Sequence, residues 1–192
     1  ELESYLRKAL AKDEFFLCYQ PLIDLATGNL YGSEALIRWQ HPKYGLVNPG
    51  EFIPLAEETG LIEDIGRWVL RTACKQNRKW QMAGKEHLTV SVNVSANQFQ
   101  QKSFVDDVKW ALRDSGLAPE YLMLELTEST MLRNIDHSIA IMSELKELGV
   151  KVSIDDFGTG AVETGGQHSL GQRHPYGIGE SLSQPPCGGF DS

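Results

Sequence analysis

The feature that most constrains this fold is a regular alternation of short apolar strands and amphipathic helices. Strands are read at 87–95, 121–128 and from Val150 onward, with helices at 103–115 and 134–148 between them. Gly116 and Gly149 stand where those helices should stop, since glycine takes the left-handed C-terminal position at no steric cost. Strands joined by helical crossovers pair in parallel, so the expected class is α/β with a parallel sheet. Ligands of such sheets gather at the carboxyl ends of the strands. Upstream, Phe15–Asp24 (closed by Pro21) and Leu30–Trp39 flank a Thr27-Gly28-Asn29 turn and read as an antiparallel hairpin. His41–Gly50 reads as a loop, Pro49–Glu58 as a helix with proline in its first turn, and Leu61–Gly84 as a long amphipathic helix. Leu2, Tyr5, Leu6 and Leu10 are spaced as on one further helix, over 1–12.

At 192 residues and 41% hydrophobic content, one core and one domain are the default. A net charge of −8 argues against a general nucleic-acid surface, so DNA is not an expected partner. An acidic site that takes a phosphate ligand needs a metal, or a few placed cations, to reverse the local sign. Cys18, Cys74 and Cys187 lack metal-ligand spacing and read as buried or free thiols of a reducing compartment. No apolar run approaches ~20 residues and no signal-peptide core opens the chain. The expectation is a cytoplasmic unit without a membrane span, cut from something longer.

The densest chemistry lies in Lys151-Val-Ser-Ile-Asp-Asp-Phe-Gly-Thr-Gly160. A strand delivers Asp155 and Asp156 at its tip, before a glycine turn that allows close backbone approach. Paired acids there can ligate a hard cation, although aspartate also caps helices and starts turns. Three earlier strands carry a polar group among apolar neighbours: Glu34, Asn93 and Glu125. Glu34 and Arg38, four apart on one strand face, could form a plain salt pair. Buried unpaired carboxylates are costly, however, and four oxygen donors on consecutive strands favour a metal centre. An all-oxygen set suits Mg²⁺ or Mn²⁺ over zinc. Trp39, Trp68, Trp80 and Trp110 read as packing residues.

Glu34-Ala-Leu with Arg38-Trp39, Phe52-Ile-Pro-Leu-Ala-Glu57, Ser91-Val-Asn-Val-Ser95, Glu125-Leu-Thr-Glu128 and Asp155-Asp-Phe-Gly-Thr-Gly160 together resemble the EAL domain, in order, from about Tyr19 to Gly160. The resemblance implies a TIM-barrel-like (β/α)₈ fold with an antiparallel first strand. It implies hydrolysis of cyclic di-GMP to linear pGpG with Mg²⁺ or Mn²⁺, calcium being inhibitory. By the same resemblance Glu34, Asn93, Glu125 and Asp155 are first-metal ligands and Asp156 serves a second metal. Gln20 and Arg38 become ligand contacts with Asn93, and Glu128 anchors the loop after Asp156, a feature tied to dimerisation. A homodimer and a preceding sensor or GGDEF domain are further implications.

After Gly160 the resemblance fails. The family's lysine strand and its catalytic glutamate have no secure counterpart, so the barrel reads as incomplete after its fifth strand. The organisation read here is therefore a linker helix over 1–12, an EAL domain over 13–160 and a divergent tail over 161–192. The tail is either the remnant of the domain's true end, after loss of about sixty residues relative to a full barrel, or a frame-shifted or poorly determined stretch. Two functions follow: a cyclic di-GMP phosphodiesterase, or a catalytically inactive EAL module that binds cyclic di-GMP or a protein partner.

Overall fold

The computed structural model describes residues 2–155, the last of them by its backbone alone. Asp156, the Gly158–Gly160 turn and the tail 161–192 lie outside the described residues.

The strands are β1 (Phe15–Ile23), β2 (Leu30–His41), β3 (Gly45–Val47), β4 (Thr89–Asn93), β5 (Leu122–Thr127) and β6 (Lys151–Asp155). They form one sheet in the order β1-β2-β4-β5-β6, with β3 paired to the far end of β2. The β1–β2 and β2–β3 pairs are antiparallel, and β2, β4, β5 and β6 run parallel. The expected mixed α/β architecture with an antiparallel first strand is therefore what the chain adopts.

Helices α1 (Leu2–Ala9), α2 (Pro49–Glu58), α3 (Ile62–Met82), α4 (Ala96–Phe99), α5 (Phe104–Ser115), α6 (Glu128–Leu132) and α7 (Ile135–Leu148) complete the fold. Gly116 and Gly149 end α5 and α7 at φ 69° and 90°, in the left-handed region expected of them. Asn48 caps α2 by accepting from the Gly50 amide, which explains why Pro49 can open that helix.

The core lies between one sheet face and α2, α3 and α5. Ala35, Ile37 and Trp39 of β2, Val90 and Val92 of β4, and Leu122, Leu124 and Leu126 of β5 are all buried there. Alternation then puts Glu34, Leu36 and Arg38, Ser91 and Asn93, and Met123 and Glu125 on the other face. Leu6 and Ala9 of α1 join the same core.

Several local readings are corrected. Pro21 does not close β1; it stays in the strand opposite Ser33, which an edge strand tolerates because the missing N–H faces away from its partner. The 41–50 loop contains β3, and Glu128 opens α6 rather than ending β5. Trp110 is 46% exposed, with the Arg71 guanidinium 4.7 Å above its ring. Of the thiols, Cys74 is buried and free.

Candidate functional site

The sheet face turned away from the core carries the polar residues, and strand register brings them together. Gln20 of β1 sits directly opposite Glu34 of β2, so both side chains stand on one face. Glu34 is abreast of Ser91 in β4, Asn93 is abreast of Glu125 in β5, and Glu125 is abreast of Ser153 in β6. Asp155 is the last residue of β6, abreast of Thr127. Glu34, Asn93 and Glu125 thus occupy three neighbouring parallel strands, Asn93 as the last residue of β4, Glu125 near the end of β5 and Glu34 within the long strand β2.

Glu34 is only 9% exposed, and Asn93 Nδ2 donates to its Oε1 at 2.8 Å. A carboxylate so deep needs such a donor, because burial without one is costly. Arg38 lies four residues along the same face and is half-buried. Its Nη1 donates to the Ile37 carbonyl at 2.8 Å. Desolvation lowers its pKa, and the Glu34 carboxylate acts in the opposite sense. The guanidinium stays cationic at any physiological pH, a fixed positive charge beside an acidic cluster. Gln20 is exposed and free to meet a ligand laid across the sheet.

Local chemistry sets the segments beyond the strand ends. Ser95 Oγ accepts from the Gln98 amide and starts α4, while Thr127 Oγ1 pairs with Ser129 Oγ and Thr130 Oγ1 where α6 begins beside Glu128. Gln100 Nε2 then donates to Ser138 Oγ at 3.1 Å, tying the segment after Asn93 to the one after Glu125. A water-sized cavity of about 30 Å³ lies where Ala35, Ile37, Ile53, Ile65 and Val69 meet Leu36 and Asn93.

Glu34, Asn93 and Glu125 are oxygen donors without a histidine or cysteine among them, the donor chemistry of Mg²⁺, Mn²⁺ or Ca²⁺. Among the described residues no three His, Cys, Asp or Glu side chains close around a point. The two aspartates that would complete the set stand at and beyond the last described residue. One polar residue of this face went unread in the sequence: Ser91, two positions before Asn93 and findable by the same period of two.

Fold and site together define a class: an α/β protein of TIM-barrel type, with an acidic, oxygen-donor site at the carboxyl ends of its parallel strands. The EAL domain profile matches residues 3–165. The chain belongs to the EAL domain family. It is 49% identical over 155 residues to the bifunctional diguanylate cyclase/cyclic di-GMP phosphodiesterase MucR of Pseudomonas aeruginosa, covering 81% of this chain and 23% of that protein. It is 48% identical over 160 residues to the cyclic di-GMP phosphodiesterase NbdA of the same organism, covering 83% of this chain and 20% of that one. The chain therefore spans about a fifth of the length of these relatives. The solved structure of the PaMucR phosphodiesterase in complex with c-di-GMP superposes with a TM-score of 0.80 at 47% identity, covering 84% of this chain and 66% of that one. Among the described residues no helix is long and apolar enough to cross a membrane.

Proposed function

We propose that this chain is a cyclic di-GMP phosphodiesterase module that hydrolyses the cyclic dinucleotide to pGpG. The observation that carries the reading is the Asn93–Glu34 hydrogen bond of 2.8 Å, with Glu125 abreast of Asn93 on the next strand. Oxygen donors are thereby aligned across the strand ends, with a guanidinium on the same face. Relatives named as cyclic di-GMP phosphodiesterases support the substrate class.

In this reading Glu34, Asn93, Glu125, Asp155 and Asp156 would hold Mg²⁺ or Mn²⁺. When bound, the cation supplies an activated water and stabilises charge on the phosphodiester oxygens. Arg38 pairs with a phosphate oxygen, a charge-assisted contact its fork geometry suits. Gln20 contacts the ligand from β1, across from Glu34. Asn93 holds the Glu34 carboxylate in place, and Glu128, at the start of α6, anchors the loop after Asp156. A cytoplasmic homodimer is the proposed setting.

The test is product analysis by ion-pair chromatography after incubation of the chain with cyclic di-GMP and Mn²⁺ or Mg²⁺. Linear pGpG should accumulate with wild type and be lost with Glu34→Ala. If Glu34→Ala kept full activity, the metal-site assignment would be wrong.

A second reading rests on the sequence after Gly160, where the family's lysine and catalytic glutamate have no secure counterpart. It makes the chain a binding module for cyclic di-GMP or for a protein partner. Ligand binding without pGpG would select it.

A further inference from the structure

We propose that Ser91 is a positioning residue for Glu34: its hydroxyl donates to the carboxylate oxygen that Asn93 leaves free when the site takes its cation. This rests on the metal-site reading above and extends it to a residue outside the ligand set.

Strand β4 shows why Ser91 is out of place as packing. Its neighbours Val90 and Val92 face the core and are 0% and 1% exposed, and Ser91, on the other face, is 1% exposed as well. Buried parallel strands are apolar on both faces as a rule. A valine or alanine at 91 would fill the position with no polar atom to satisfy. Instead Ser91 Oγ is buried with no hydrogen-bond partner, a state that is costly unless the group has another use.

The register supplies that use. Ser91 lies abreast of Glu34 on the adjacent parallel strand, and such strands are about 4.8 Å apart. The Glu34 Oε1 atom is taken by Asn93, and no described side chain donates to Oε2. The residue with the unpartnered hydroxyl and the one with the open carboxylate oxygen are therefore side-by-side neighbours on one face. A carboxylate that would ligate a cation through one oxygen is held in place by a donor to the other, the role outer-shell hydrogen bonds play for metal-ligating acids.

The same strand pair holds a matched control. Ser33 is also 1% exposed, and its Oγ likewise has no partner. Its side chain, however, points to the helix-packed face of β2, beside Val90 in register. Two orphaned serine hydroxyls thus flank the sheet at the same level, and only one faces Glu34.

The experiment is calorimetric titration of Mn²⁺ into the metal-free 192-residue chain, as wild type, Ser91→Ala, Ser91→Thr and Ser33→Ala, with a thermal melt of each. Ser91→Ala should raise the Mn²⁺ dissociation constant about tenfold or more while melting at or above the wild-type temperature. Ser91→Thr, which keeps the hydroxyl, should bind as wild type does, and so should Ser33→Ala. Wild-type binding with an unchanged Ser91→Ala constant overturns the inference and leaves the metal site standing. Equal weakening by both alanine variants also overturns it, by showing a general packing effect. No Mn²⁺ binding by wild type removes the metal reading and this inference with it. Should Ser91→Ala fail to melt cooperatively, Ser91→Cys, similar in shape and a weak donor, must show the same weakening for the proposal to survive.

Discussion

Asn93 donates from Nδ2 to Glu34 Oε1 at 2.8 Å across 59 residues of chain. The bond joins β2 and β4 on the face where the fold leaves the core behind. It holds a nearly buried carboxylate in one orientation before any ligand arrives, which is how a site on rigid strands is preorganised.

Removing that donor should be felt without any ligand. Asn93→Ala leaves a carboxylate oxygen that is both poorly solvated and unmet, a loss of about 1–3 kcal/mol. Urea unfolding of the metal-free protein checks it, and an unchanged midpoint would show that the bond contributes nothing at rest.

Glu14 ties the N-terminal helix to the strand that bears Arg38. Its amide donates to the Ala9 carbonyl, its carbonyl accepts from the Gln40 amide, and its Oε2 accepts from Trp39 Nε1 at 3.0 Å. Trp39 is fully buried, so Glu14→Ala should cost about 1–2 kcal/mol by leaving the indole N–H unmet. Glu14→Gln keeps an acceptor and should cost much less, as compared by denaturant unfolding.

Two glycines are held by close approach rather than by backbone conformation. A Cβ at Gly32 would meet the Thr89 carbonyl oxygen at 2.8 Å, and one at Gly66 would collide with the Gln98 carboxamide. Backbone cannot yield as a side-chain end can, so Gly32→Ala should destabilise more than Gly66→Ala. For Gly66→Ala about 1–3 kcal/mol of overpacking is partly offset by roughly 1 kcal/mol of helix propensity. Gln98→Ala in the Gly66→Ala background should restore part of the loss.

Stability should fall in alkali. Burial raises the Cys74 thiol from 9.0 to about 12 and raises the Tyr19 phenol in the same sense. The unfolded chain then releases these protons at a lower pH than the folded one does. The contribution is complete below pH 9 and is lost as the pH rises toward 12, at up to about 1.4 kcal/mol per pH unit for each group. Thermal melts from pH 8 upward should show the decline, and Cys74→Ala should make it shallower.

Much of this was legible in the chain because period and punctuation agreed. The Pro49–Glu58 helix was read with the bounds it has, since Asn48, Pro49 and the apolar spacing all mark it. Gly116 and Gly149 marked helix ends because only glycine takes their backbone angles cheaply. Helices α4 and α6 span 4 and 5 residues, too short to show a helical period; the Ser95 hydroxyl caps α4, whereas no side chain caps α6. Strand β3 has 3 residues and exists only by pairing with the end of β2. Trp110 was misjudged because its spacing marks a helix position, while exposure depends on what packs against α5. At the site, Glu34, Asn93 and Glu125 stood out as polar residues in apolar strands. Which of them touch, and which hydroxyl has no partner, depends on the stagger between strands, and that stagger is set by the crossover helices. The readings of Asp156 and of the tail lie outside the described residues.

The most direct measurement is calorimetric titration of cyclic di-GMP into the chain in the presence of Ca²⁺, the cation that the family resemblance leads one to expect will inhibit turnover. The account predicts saturable binding that Arg38→Ala weakens by about tenfold or more, as loss of a charge-assisted contact should. Absence of binding by a cooperatively folded wild type, or binding that Arg38→Ala leaves unchanged, would contradict it.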